Sequence, residues 1–165
     1  MKKKIIIGSA VVVLLLLAGV IFWLNYRDEF AVRNLISDTA EWVSAKPRKV
    51  AHEGALKHTK AKKFFCDSIS VKVIKPEYDF RVDGERMEQF WMLYFRNADE
   101  ISVETENVEV EVSGDQADFS FDAQINGSFS NKQVEFSGVY IVRGKAEKID
   151  GNWKISSVVV EPVVK

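Results

Sequence analysis

Between Ile5 and Leu24 the chain runs 20 residues without a charged side chain. As a helix rising about 1.5 Å per residue, such a run is about 30 Å long, the thickness of a bilayer's hydrocarbon core. Lys2, Lys3 and Lys4 precede it, and Arg27, Asp28 and Glu29 follow it with charges that nearly cancel. The positive-inside rule then keeps residues 1–4 as a cytoplasmic tail, makes residues 5–26 a single-pass anchor in the lipid bilayer, and exports the remainder. Trp23 and Tyr26 fall where an interfacial aromatic belt lies. A cleaved signal peptide is the alternative. Its apolar core is usually about 7–15 residues long and ends in a small-x-small site. Here the run ends in Phe22-Trp23-Leu24-Asn25-Tyr26, and Val20 stands where a lipidated cysteine would have to follow Leu16-Leu17-Ala18-Gly19. The expected location is the inner membrane of a bacterium, with the C-terminal domain periplasmic or otherwise extracytoplasmic.

The rest of the chain reads as one α+β domain. Val32, Leu35, Ile36, Thr39, Trp42 and Val43 recur at helical spacing and predict an amphipathic helix over 29–45, stopped by Pro47. Residues 48–65 predict a second, basic helix closed by Phe64-Phe65. Ile69 to Ile74 alternates as a strand that Pro76 stops, with Tyr78 and Asp79 in the loop beyond it. Asp83 is placed to cap a third helix, whose Met87, Phe90, Trp91, Tyr94 and Phe95 make a heavy aromatic face. After Asp99 four alternating strands follow, with hairpin signals at Gly114-Asp115, Asn126-Gly127 and Asp150-Gly151. Val103 is odd-numbered, whereas Val108, Val110 and Val112 are even. If both sets face one core, a bulge must interrupt the strand near Thr105–Asn107. The expected architecture is a curved, cone-like antiparallel sheet packed on about three helices behind a transmembrane helix.

Three stretches carry a family resemblance: Gly84-Glu-Arg-Met-Glu-Gln-Phe-Trp-Met-Leu-Tyr-Phe95, Val108-Glu-Val-Glu-Val-Ser-Gly-Asp-Gln-Ala-Asp-Phe-Ser-Phe121, and the final Lys148-Ile-Asp-Gly-Asn-Trp-Lys-Ile-Ser-Ser-Val-Val-Val160. Together they resemble the nuclear transport factor 2-like superfamily, also called ketosteroid isomerase-like or SnoaL-like, over residues 29–162, with 163–165 as a tail. The resemblance implies a cone-shaped sheet around a long helix, with a pocket at the wide end lined here by Trp91, Tyr94, Phe121 and Tyr140. Those rings equally fit a filled core, because aromatics at such spacing mostly pack.

Chemistry is thinly signalled. The isomerase branch needs a carboxylate base with an oxyanion hole. Asp118 and Asp122 alternate out of phase with Phe119 and Phe121 and so face away from them. The weak catalytic candidates are therefore Asp79, His58 and Tyr94. His52 and His58 are six residues apart, which is not a helical metal-pair spacing, so no metal and no cofactor is expected. Cys66 has Lys62 and Lys63 nearby, which would lower a thiol pKa, although a lone cysteine is more often a small buried apolar residue. A pI of 6.2 argues against a nucleic-acid partner.

Charge is the sharper feature. Residues 46–63 hold seven bases (Lys46, Arg48, Lys49, Lys57, Lys60, Lys62, Lys63) against Glu53, whereas residues 97–131 hold nine acids and no Lys or Arg. The basic block reads either as solvated surface, or as a neutralising neighbour of the acidic block, or as a face toward an anionic partner. The preferred functional reading is a non-catalytic, membrane-anchored domain that binds a protein partner or supports assembly of an envelope complex. The alternative is a pocket-based small-molecule binder, or a lyase or isomerase. Homodimerisation through the sheet face is a third possibility, since Val139 and Ile141 alternate with Tyr140 and Val142 and fall on the outer face.

Overall fold

The computed structural model describes residues 2–44, 60–74, 77–129 and 134–163, with the side chains of residues 2–14 and a few scattered others outside the described set. Helix α1 runs Lys2–Val43 as one 42-residue element. The apolar run and the amphipathic segment are therefore continuous. No Gly or Pro occurs from residue 20 to residue 46, so nothing in the sequence breaks the backbone ladder there. The helix ends at Val43, before Pro47 is reached, and the Ser44 hydroxyl donates to the Ala40 carbonyl at 2.8 Å. Among the described residues no helix is long and apolar enough to cross a membrane. The anchor expected at residues 5–26 lies in large part outside the described side chains.

The helix expected over 48–65 falls mostly on residues 45–59, outside the described residues. What is described is a four-residue helix α2, Ala61–Phe64, followed at once by strand β1, Phe65–Val73. Phe65 thus opens a strand and does not close a helix, because it pairs with Ile155 of the last strand. Residues 78–79, expected in a loop, begin strand β2, Tyr78–Asp83, which pairs with β1 through Val73↔Tyr78, Val71↔Phe80 and Ile69↔Val82. Helix α3 spans Gly84–Asn97, and Asp83 occupies its N-cap position without a side-chain capping bond. Strands β3 (Ala98–Ser113), β4 (Gln116–Phe129), β5 (Val134–Ile149) and β6 (Asn152–Pro162) complete the chain.

The six strands form one curved sheet in the order β2-β1-β6-β5-β4-β3. It is mixed, where an antiparallel sheet was expected, because β1 and β6 run parallel. Local periodicity reports that a strand exists but not which strand it pairs with, and β1 and β6 are joined by most of the domain. Asn126-Gly127 is not a turn either. Both residues sit inside β4, where the Asn126 side chain accepts a hydrogen bond from Ser137 Oγ at 2.6 Å. The turns at Gly114 and at Asp150-Gly151 do take positive φ.

The β3–β4 register shifts between Glu106 and Glu109, and Asn107 there has φ 51°. This bulge brings Val103 and the even-numbered valines to one face, as the change of parity requires. Helix α1 also protects the sheet edge. The Ser44 hydroxyl oxygen accepts from Val103 N at 3.1 Å, and the Arg33 guanidinium donates to the Val108 carbonyl. Two backbone groups on the free edge of β3, which would otherwise invite another strand, are thus occupied.

The core lies between the concave face of the sheet and the helices, and includes Val32, Ile36, Trp42, Phe64, Met87, Phe95, Phe119 and Trp153. Trp42 is its hub, with Trp91 edge-on at 4.6 Å and Phe95 edge-on at 5.1 Å between ring centroids. Gly144 sits directly across from Phe119. A Cβ at position 144 would overlap the Phe119 ring and the Ser157 carbonyl, so the ring is seated on a residue that must lack a side chain.

Candidate functional site

The sheet and helices do not fill the space between them. A partly open cavity of about 280 Å³ remains, against Ile36, Thr39, Ala40 and Val43 on the C-terminal part of α1. The sheet contributes Phe65, Phe119, Phe121, Ala123 and Val142, among others, and α3 contributes Met87, Phe90 and Trp91. The cavity is more than half again as large as an engineered apolar cavity of about 150 Å³ that holds benzene. Phe80 and Phe90 form part of the wall and are also 38% and 42% exposed, which places them at the rim.

The lining is almost wholly apolar. Among the described residues that line the cavity none has an ionisable side chain, and Thr39 carries the only hydroxyl. That hydroxyl donates to the Leu35 carbonyl at 2.6 Å, a bond within its own helix. The arrangement suits a molecule without charge or hydrogen-bonding groups. It offers no base and no acid among these residues, and the Trp91 indole N–H is its one side-chain donor besides the Thr39 hydroxyl.

Of the residues expected to line a pocket, Trp91 and Phe121 do so, whereas Tyr94 and Tyr140 are not among the lining residues. Tyr94 is turned toward α1, where its hydroxyl donates to the Val43 carbonyl at 3.0 Å. Burial pushes its phenol well above the ordinary tyrosine range. The Tyr140 ring folds back over Gly138. Asp79 is exposed on β2 opposite Lys72 and does not reach the cavity. His58 lies outside the described residues, as do Lys46, Arg48, Lys49 and Lys57. Of the basic block, Lys60, Lys62 and Lys63 are exposed, and Lys62 pairs with Glu88 at 3.3 Å, not with the acidic strands. No group of three metal-ligating side chains occurs among the described residues. The thiol of Cys66 is buried, and burial together with the negative charge of Glu147 raises its pKa, contrary to the lowering expected from Lys62 and Lys63.

Several wall residues were not anticipated from the sequence. Phe80 and Val82 carried a signal, since Tyr78, Phe80 and Val82 alternate with Asp79, Arg81 and Asp83. Phe65 carried none, because its role depends on a parallel partner about 90 residues away.

The chain matches no protein-family profile and no curated protein. Its fold does match solved structures. A candidate dehydratase of the nuclear transport factor 2-like family from Streptomyces avermitilis superposes with TM-score 0.62 at 15% identity, over 84% of this chain and 98% of that one. A hexachlorocyclohexane dehydrochlorinase, LinA type 3 from Novosphingobium barchaimii, gives 0.62 at 15% identity, over 84% and 88%. A candidate scytalone dehydratase from Novosphingobium aromaticivorans gives 0.66 at 11% identity, over 85% and 87%. The domain that follows the apolar run therefore shares the nuclear transport factor 2-like fold of these structures.

Proposed function

We propose that this chain is a membrane-anchored, extracytoplasmic domain that binds a small apolar molecule in its cavity. The observation that carries the reading is a partly open cavity of about 280 Å³ whose described lining has no ionisable group. An assembly scaffold has no need of such a space, and the similarity to pocket enzymes also favours the pocket over a scaffold role. The anchor rests on the uncharged run Ile5–Leu24 and the three lysines before it. In that arrangement Ile36, the first wall residue on α1, lies 12 residues beyond Leu24, or about 18 Å along the helix. The cavity then stands a short distance above the bilayer surface.

A lyase or isomerase is the second reading, favoured by the kinds of enzyme that share the fold. It needs a proton acceptor that the described lining does not supply.

One experiment separates these readings. The full chain in lipid nanodiscs is heated with and without millimolar benzene. Binding should raise the unfolding midpoint of the wild type and leave the cavity-filled variant Ala123→Phe unmoved. No shift in the wild type would sink the pocket reading. Elimination of water or halide from a hydroxylated or chlorinated ring substrate would establish the lyase instead. Protease added outside spheroplasts should remove the domain after Leu24, and protection of that domain would overturn the proposed orientation.

A further inference from the structure

The cavity wall is aromatic as well as apolar. Among the described residues six aromatic rings line it: Phe65, Phe80, Phe90, Trp91, Phe119 and Phe121. Two pairs of them lie nearly parallel. Phe65 and Trp91 stack with centroids 5.4 Å apart and planes 18° apart, and Phe119 and Phe121 with centroids 6.1 Å apart and planes 19° apart. Phe90 meets Trp91 edge-on at 5.1 Å and stands 6.4 Å from Phe80 at the rim. The wall rings thus pack on one another both face to face and edge-on, the two arrangements that an added unsaturated ring extends.

Building on the pocket-binding reading, we propose that the ligand is an uncharged, unsaturated ring compound of about two fused rings, and that it enters past Phe80 and Phe90. Size sets the upper bound. A space of about 280 Å³ is close to twice the benzene-binding cavity, so it encloses about two fused rings, and the rest of a four-ring skeleton would stand outside the open mouth. The polar lining sets the charge. Thr39 is committed to Leu35, and the Trp91 indole N–H is the one other conventional hydrogen-bonding group among the described wall side chains. A carboxylate carried inside would lose its hydration and find no cation and at most one neutral donor in the described wall, too little to hold it ionised, so it would have to enter protonated. With an ordinary carboxyl pKa near 4.3, only about one molecule in a thousand is neutral at pH 7.4.

The test uses the full chain in nanodiscs with three probes of matched size: naphthalene, decalin and 2-naphthoate. Affinities come from thermal shifts and are corrected for each probe's partition into protein-free discs. Naphthalene should bind about 2- to 10-fold more tightly than decalin, the margin that aromatic contacts supply. 2-Naphthoate should bind about 100- to 1000-fold more weakly than naphthalene at pH 7.4, and the gap should narrow as the pH falls toward 5. Ala123→Phe should abolish all three shifts. If that variant fails to fold, Ala40→Leu, at another wall position, serves in its place. If no probe binds, the pocket reading itself fails. If naphthoate matches naphthalene, the neutral-ligand inference fails while the pocket reading stands. If decalin equals or exceeds naphthalene, the preference for unsaturated rings is overturned alone.

Discussion

Asp28 ties the middle of α1 to the end of the sheet, and its replacement gives a quantitative test of that joint. Lys148 Nζ donates to both carboxylate oxygens, at 2.8 and 2.9 Å, and the Trp153 indole N–H approaches Oδ1 at 3.4 Å. The two charged side chains are only 14% and 20% exposed, so solvent screens the pair weakly. The Lys148 backbone N–H also donates to the Asp115 carbonyl at 2.8 Å, which joins the β5–β6 and β3–β4 turns at one end of the sheet. Asp28→Asn keeps the shape and removes the charge. A hydrogen bond to a charged group contributes about 1.5–3 kcal/mol, so the expected loss is about 2 kcal/mol. For a domain of this size that lowers Tm by about 5–8 °C. The sign of the pH dependence follows from the carboxyl pKa. Burial alone would raise it, but the hydrogen bonds from Lys148 and Trp153 and the charges of Lys148 and Arg27 outweigh burial and hold it below the usual range. A depressed folded-state pKa adds stability that is complete above the unfolded value of about 3.9 and vanishes as the pH falls through the folded value. The Tm gap between wild type and Asp28→Asn should therefore be constant from about pH 5 upward and narrow progressively as the pH falls below about 4. Thermal unfolding of the full chain, followed by tryptophan fluorescence, measures it. A double-mutant cycle with Lys148→Met should return a coupling of about 1–2 kcal/mol. A Tm change below about 1 °C at neutral pH, or a gap that does not narrow as the pH falls below about 4, would refute the account of this joint.

Two further substitutions or reactions probe the interior. Gly144→Ala should cost about 1–3 kcal/mol through overpacking, because the new methyl meets the Phe119 ring and the Ser157 carbonyl. Thermal unfolding reads that loss, and a variant as stable as wild type would mean that Phe119 is free to move. Cys66 should react slowly with a thiol reagent at pH 8 in the folded chain and rapidly once the chain is unfolded, since burial raises its pKa and hides the sulfur. Equal rates in the two states would show that the start of β1 opens readily.

The sequence by itself determined what depends on near neighbours along the chain. The alternation of Ala117, Phe119, Ala123 and Ile125 put one face of β4 inward, and the parity change after Val103 required the bulge that lies at Asn107. The heavy face of α3 was visible in Met87, Trp91 and Phe95 for the same reason, since these positions recur every turn. Only the tertiary structure decided how these elements meet. The parallel pairing of β1 with β6, the use of Asn126-Gly127 inside a strand, and the turning of Tyr94 toward Val43 all depend on partners far away in sequence. The cavity belongs to the same class. Each wall residue is an ordinary core residue in sequence, and the space exists because the curvature of the sheet holds the strands farther from α1 and α3 than their side chains can reach. Periodicity tells which side chains point inward. Whether they touch is fixed by the distance between the layers that carry them.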